Sequence, residues 1–256
     1  MNDYDSRWAI NFQRHNQNFN PVAEMVAFYK PLRNQAQSTD VISPLAQLDK
    51  YKLVVAPGLN VLPKETADHL LDYVRQGGNL VLGPRSGMKD EYNALTVERQ
   101  PGPLADALGG RVEQFYALEK TVPVSGDLGS GTASLWAEQL STKSPDTQVL
   151  LRYRVSNGWL HNQPAAITRK VGKGSITYIG AWLDDDLLAK VTASLLQQSG
   201  VQPIILNTPD GVEVCLRSGT NKSVLILINH NKTDAHIGLP HSMTNLFDNT
   251  SRTSVD

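Results

Sequence analysis

The stretch "NLVLGPRSGMKDE", residues 79–91, ends an apolar run in a polar loop that carries Arg85, Ser86, Asp90 and Glu91. Open α/β sheets place their chemistry in such loops, at the carboxyl ends of parallel strands. Two carboxyls could act in glycoside hydrolysis as acid and base or nucleophile, provided they flank the bond roughly 5–10 Å apart. Adjacent residues on one loop do not straddle a substrate, so Asp90 and Glu91 are not read as a dyad. "GPRSG" places its serine fourth, whereas the G-x-S-x-G turn exposes a nucleophile from the third place. With no G-x-C-x-G turn and no histidine read as its partner, the loop has the position of an active site without its reagents.

The other reactive side chains give the same answer. Cys215 falls mid-strand between Val214 and Leu216 and is expected to be a buried, inert thiol. His230, His236 and His241 follow one another at spacings that fit neither a helical pair nor a zinc finger, and are read with His15, His69 and His161 as solvated or structural. "VGKGS" suggests phosphate binding, but it sits in a hairpin and lacks the following helix amino terminus that a phosphate cradle needs. Asp184, Asp185 and Asp186 fit a capped helix start better than a metal site. The sequence therefore predicts no catalytic residue, no cofactor and no metal.

The elements that hold the 79–91 loop are legible. Asn20-Pro21 opens a helix that Pro31 is expected to kink or end early. "TDVISPLAQLDKYKLVVAPGL" offers a short strand at Asp40–Ile42 and a buried one at Lys52–Ala56. "LPKETADHLLDYVRQGG" reads as a helix with Leu70, Leu71 and Val74 inward and Gly77 as its stop. A strand at Asn79–Gly83 completes a crossover, so it and Lys52–Ala56 are expected to be parallel neighbours. The middle of the chain reads as strands, with Ala165–Lys170 and Ser175–Ile179 paired about a turn at Lys173-Gly174. "LDDDLLAKVTASLLQQSG" restores a helix that ends at Gly200. From Val201 short strands, "GVEVCLRSG", "KSVLILINH" and "DAHIGLP", form a small antiparallel β-domain that stops abruptly at "NTSRTSVD". The fold class is thus α/β, with one domain over 1–200 and a second, incomplete one over 201–256.

Lysine and arginine number 24 against 25 acidic residues, giving a formal charge of −1. With no long run of one sign, nothing points to nucleic acid or an anionic membrane. No segment approaches the roughly 20 apolar residues of a membrane helix, and the polar start lacks a signal-peptide core. One cysteine fits a reducing compartment, so the expected location is the cytoplasm.

Several segments carry a resemblance. "YDSRWAI", "YKLVVAPGLNVLPKETADHLLDYVRQGGNLVLGPRSGMKDE", "PGPLADALGGRVEQF" and "GKGSITYIGAWLDDDLLAKV" are similar to the trimerisation domain of family-42 glycoside hydrolases, the bacterial β-galactosidases. "PDGVEVCLRSGTNKSVLILINH" resembles the small carboxy-terminal β-domain of the same enzymes. The resemblance implies a flavodoxin-like, class I glutamine-amidotransferase-like fold that has lost amidotransferase chemistry and helps assemble a homotrimer. It also implies that both catalytic glutamates belong to an amino-terminal (β/α)₈ barrel, so neither has a counterpart here and galactoside is handled only through that missing barrel. The family's first strand is reduced to Met1-Asn2-Asp3. Each backbone hydrogen bond so left unmade in the interior costs about 1–3 kcal/mol, so marginal stability of the isolated chain is expected.

On this reading the chain is the non-catalytic oligomerisation portion of a β-galactosidase, with Tyr4, Trp8, Arg85, Ser86, Asp90 and Glu91 as subunit-contact candidates within the aromatic start and the loop 84–93. Trp8 is as well suited to core packing. Two alternatives remain open: a diverged amidotransferase-like hydrolase using the 83–91 loop, and a sugar-binding module using Trp136, Trp159 or Trp182 as a stacking platform.

Overall fold

A computed structural model describes residues 1–155 and 158–256. The chain divides into two compact units, residues 1–28 with 41–200 and residues 29–40 with 201–256.

The first unit opens with helix α1, Tyr4–Phe12, whose amino end is capped by Asp3 accepting from the Ser6 amide. Helix α2 follows at Pro21–Ala36, its first half belonging to this unit. Strand β1 (Leu53–Ala56), helix α3 (Lys64–Gln76) and strand β2 (Asn79–Leu82) then form the expected crossover, with β1 and β2 parallel and Leu53 opposite Asn79. Gly77 ends α3 at φ 123°, a conformation that favours glycine. A short helix α4 (Ala105–Leu108) leads into β3 (Gly110–Ala117), β4 (Val122–Gly126), β5 (Gly129–Thr142), β6 (Gln148–Tyr153), β7 (Pro164–Val171), β8 (Gly174–Ile179) and β9 (Ala181–Leu183). Helix α5, Asp185–Gln198, closes the unit with Asp184 as its cap.

The strands make one mixed sheet in the order β1-β2-β8-β7-β6-β4-β5-β3, with β9 added to β5. β2 and β8 are parallel neighbours, and β7 and β8 form the expected antiparallel hairpin. Its turn lies at Gly172-Lys173, because Val171 pairs with Gly174, one residue earlier than the sequence suggested. Leu70, Tyr73 and Val74 of α3 pack into one core with Val54, Leu80, Leu82, Ile176 and Tyr178. The alternating apolar positions of short strands supply this face, and the amphipathic helix covers it.

Asp40–Ile42 is not a strand. The Asn2 amide donates to the Ile42 carbonyl at 2.8 Å while the Met1 amine donates to Val55 O at 2.5 Å, but a strand requires a continuing ladder and none forms there. Burial lowers the Met1 amine to a pKa of about 6.

The second unit holds two antiparallel pairs, β10 (Val212–Ser218) with β11 (Ser223–Asn229) and β12 (Ile237–Thr244) with β13 (Ser251–Val255), around Ile205, Val214 and Ile237. The tail that seemed to break off at "NTSRTSVD" thus supplies a strand. Pro31 does not end α2. Within this unit the Arg33 guanidinium reaches the Val214 carbonyl at 2.8 Å and Glu213 Oε1 at 2.5 Å, and this anchoring holds the helix beyond its missing amide bond. Cys215 is half-buried, its Sγ 2.9 Å from Arg33 Nη2, and so is less enclosed than its mid-strand position suggested.

Candidate functional site

The loop after β2 turns through Gly83-Pro84-Arg85-Ser86-Gly87, and Arg85 adopts φ 66°. This is the G-x-X-x-G pattern of a nucleophile elbow with an arginine in the third place. A left-handed backbone at a bulky residue persists only where its surroundings over-determine it. They do so here, because the Arg85 amide donates to Glu138 Oε1 at 2.9 Å and its carbonyl accepts from Asn60 Nδ2 at 2.9 Å. Ser86 is fastened alongside, donating to Gly83 O at 2.8 Å and accepting from the Leu59 amide at 3.2 Å. A Cβ on Gly87 would collide with the Pro101 carbonyl, so the turn also requires its last glycine.

Glu138, on β5, is the centre of the polar interior. Oε1 accepts from Trp136 Nε1 at 3.0 Å as well as from the Arg85 amide, and Oε2 accepts from the Tyr178 hydroxyl at 2.8 Å. Burial pushes its carboxyl up to about 7, opposed by those donors and by the Arg85 charge. Glu24 of α2 is buried with no hydrogen-bond partner on either oxygen among the described residues, and burial raises it well above the usual carboxylate range. The physical cause is that a buried carboxylate without a hydrogen-bond partner is costly to keep charged. The Arg85 guanidinium donates to Arg14 O at 2.9 Å and Gln13 O at 2.6 Å, and lies 4.6 Å from the Trp136 ring centroid and 5.0 Å from that of Phe19. His15 Nδ1 stands 3.4 Å from Arg85 Nη2, so a histidine does approach the elbow, brought from a segment that sequence reading did not connect with it. Burial and the Arg85 charge both lower its pKa.

Burial separates Arg85 and Ser86 from the rest of the 84–93 loop. Arg85 and Ser86 are both 0 % exposed and offer nothing to a neighbouring subunit. Asp90 is half-buried and builds a turn, its Oδ1 accepting from the Tyr92 and Ala94 amides. Glu91 is exposed, and beyond it stand Tyr92, Leu95 and Val97, also exposed. Tyr4 and Trp8 are 60 % and 59 % exposed, and Phe12 joins them at 85 %. Four-residue spacing puts all three on one side of α1, while Ser6, Ala9 and Ile10 face inward. The spacing of Phe12 from Trp8 was the signal that could have added it to the stripe. Trp136 is fully buried beside Phe19 and Ile10, and Trp182 is half-buried against the same cluster. Trp159 alone of the three stacking candidates is largely exposed.

Comparison with known proteins gives this geometry a family. The model of the β-galactosidase trimerisation domain matches residues 1–202. The chain belongs to that family. Its fold is accordingly class I glutamine-amidotransferase-like. A β-galactosidase of Halorubrum lacusprofundi is 37 % identical over 230 residues, covering 85 % of this chain and 32 % of its own length. One from Haloferax lucentense is 34 % identical over 221 residues, covering 86 % and 33 %. The crystal structure of a β-galactosidase from Bacillus circulans sp. alkalophilus superposes with a TM-score of 0.93 at 27 % identity, over 100 % of this chain and 39 % of that one. The chain thus spans about a third of the curated relatives it matches, and the catalytic barrel region lies outside it.

Proposed function

We propose that this chain is the oligomerising, non-catalytic portion of a cytoplasmic β-galactosidase and assembles as a homotrimer through the exposed aromatic stripe of α1. Hydrolysis of terminal β-galactosides belongs to the barrel part of such an enzyme, and residues 201–256 form its separate carboxy-terminal β-domain. The observation that carries this is the row Tyr4, Trp8 and Phe12, each more than half exposed on one helix. Aromatic residues are enriched at interface cores, where they provide large rigid contact area. Glu91 and the apolar side chains of residues 92–97 extend the proposed contact; Asp90 supports it by shaping that turn. Arg85 and Ser86 are internal supports rather than contacts. Analytical ultracentrifugation tests this directly. The wild type should sediment as a trimer at micromolar concentration, and Trp8→Glu should dissociate it, with a loss of at least about 2 kcal/mol per contact as expected for a buried aromatic anchor. A wild type that stays monomeric at high concentration refutes the proposal.

A second reading retains one observation. Trp159 is 68 % exposed, with the Tyr116 ring 6.5 Å away and tilted 44°, which suits stacking against a sugar ring. Tryptophan fluorescence should then respond to millimolar galactose and lose that response in Trp159→Ala; a flat titration removes this reading.

A further inference from the structure

We infer that Arg85 is a positioning residue for subunit assembly: from the third place of the elbow it fastens the carboxyl end of the helix that presents the aromatic stripe. The inference rests on the role proposed for α1. That helix has nine residues, too few to hold itself in water, so its direction depends on ties to the rest of the unit. At its amino end Ser6 Oγ accepts from the Val61 amide at 2.9 Å. At its carboxyl end the chain leaves the helix at Gln13, and the carbonyls of Gln13 and Arg14 point at one guanidinium, 2.6 and 2.9 Å away. These carbonyls lie at the negative end of the helix, where a cation is favoured. Phe12, the last member of the stripe, immediately precedes them.

The arginine is itself fixed at its backbone and at both terminal guanidinium nitrogens. Its backbone is held by Glu138 and Asn60, and its guanidinium plane lies against Trp136 and Phe19, both fully buried. A rigid planar fork can serve two successive carbonyls at once, which a lysine ammonium cannot reproduce in the same geometry. A place suited to a nucleophile thus holds a clamp, and the clamp acts on the surface that the proposed trimer uses.

The test compares wild type, Trp8→Glu, Arg85→Lys and Arg85→Met, by ultracentrifugation and by hydrogen exchange resolved to peptides. Arg85→Met is expected to raise the concentration of half-assembly at least about tenfold and to speed exchange at residues 9–14, with β2 and β8 still protected; Arg85→Lys should fall between it and wild type. If Arg85→Met does not fold, Arg85→Lys decides alone, since loss of the fork must loosen residues 9–14 selectively. Assembly and exchange unchanged from wild type in the folded variants, with Trp8→Glu monomeric, overturn the inference and leave the role of α1 standing. A monomeric wild type, or a Trp8→Glu that still assembles, overturns the role of α1 instead.

Discussion

Glu138 connects a single side chain to a measurable property of the protein. Its carboxyl is raised to about 7 in the folded state, against about 4.5 for an ordinary glutamate, because burial penalises the charged form. The folded protein therefore binds the extra proton between these values. Its contribution to stability is complete below pH 4.5 and is lost as pH rises through 7. Denaturant unfolding across this window should show wild type losing up to roughly 3 kcal/mol relative to Glu138→Gln, which keeps the shape and cannot titrate. Parallel pH profiles of the two proteins would rule the assignment out. Arg85 shows where residue-level reading falls short. Its sequence position, in "GPRSG", was evident, but its occupation was not, because its partners Gln13, Arg14, Trp136 and Glu138 lie far away along the chain.

At the scale of elements, the α3 crossover was the most legible part of the fold. A capped amphipathic helix between two apolar runs has few other ways to bury its inner face, so β1, α3 and β2 followed from periodicity. Leu70 is 0 % exposed at the centre of that face, and Leu70→Ala should lower the unfolding free energy by about 2–5 kcal/mol in urea titration, with an unchanged slope if the loss is confined to the native core. The expectations of an early helix end at Pro31 and of a strand at Asp40–Ile42 fail for opposite reasons. Local chemistry argued against helix at Pro31, and the tie from Arg33 to Glu213 and Val214 outweighed it. Local chemistry favoured a strand at Asp40–Ile42, but a strand exists only with a neighbour to pair with.

For the whole molecule, the chain covers about a third of its curated relatives, so the proposal divides assembly from chemistry. The purified chain should show no turnover of a chromogenic β-galactoside above the uncatalysed rate, and activity that disappears in Glu91→Ala would reverse that division. The sequence by itself determined the class of fold, the order of the crossover and the absence of an elbow serine or cysteine, since these depend on periodicity and on residue type at short spacing. Only the tertiary structure decided that Arg85 and Ser86 lie inside while Tyr4, Trp8 and Phe12 lie outside. Burial is set by which distant segments pack together, and a polar residue goes inside when those segments supply the hydrogen bonds that replace water.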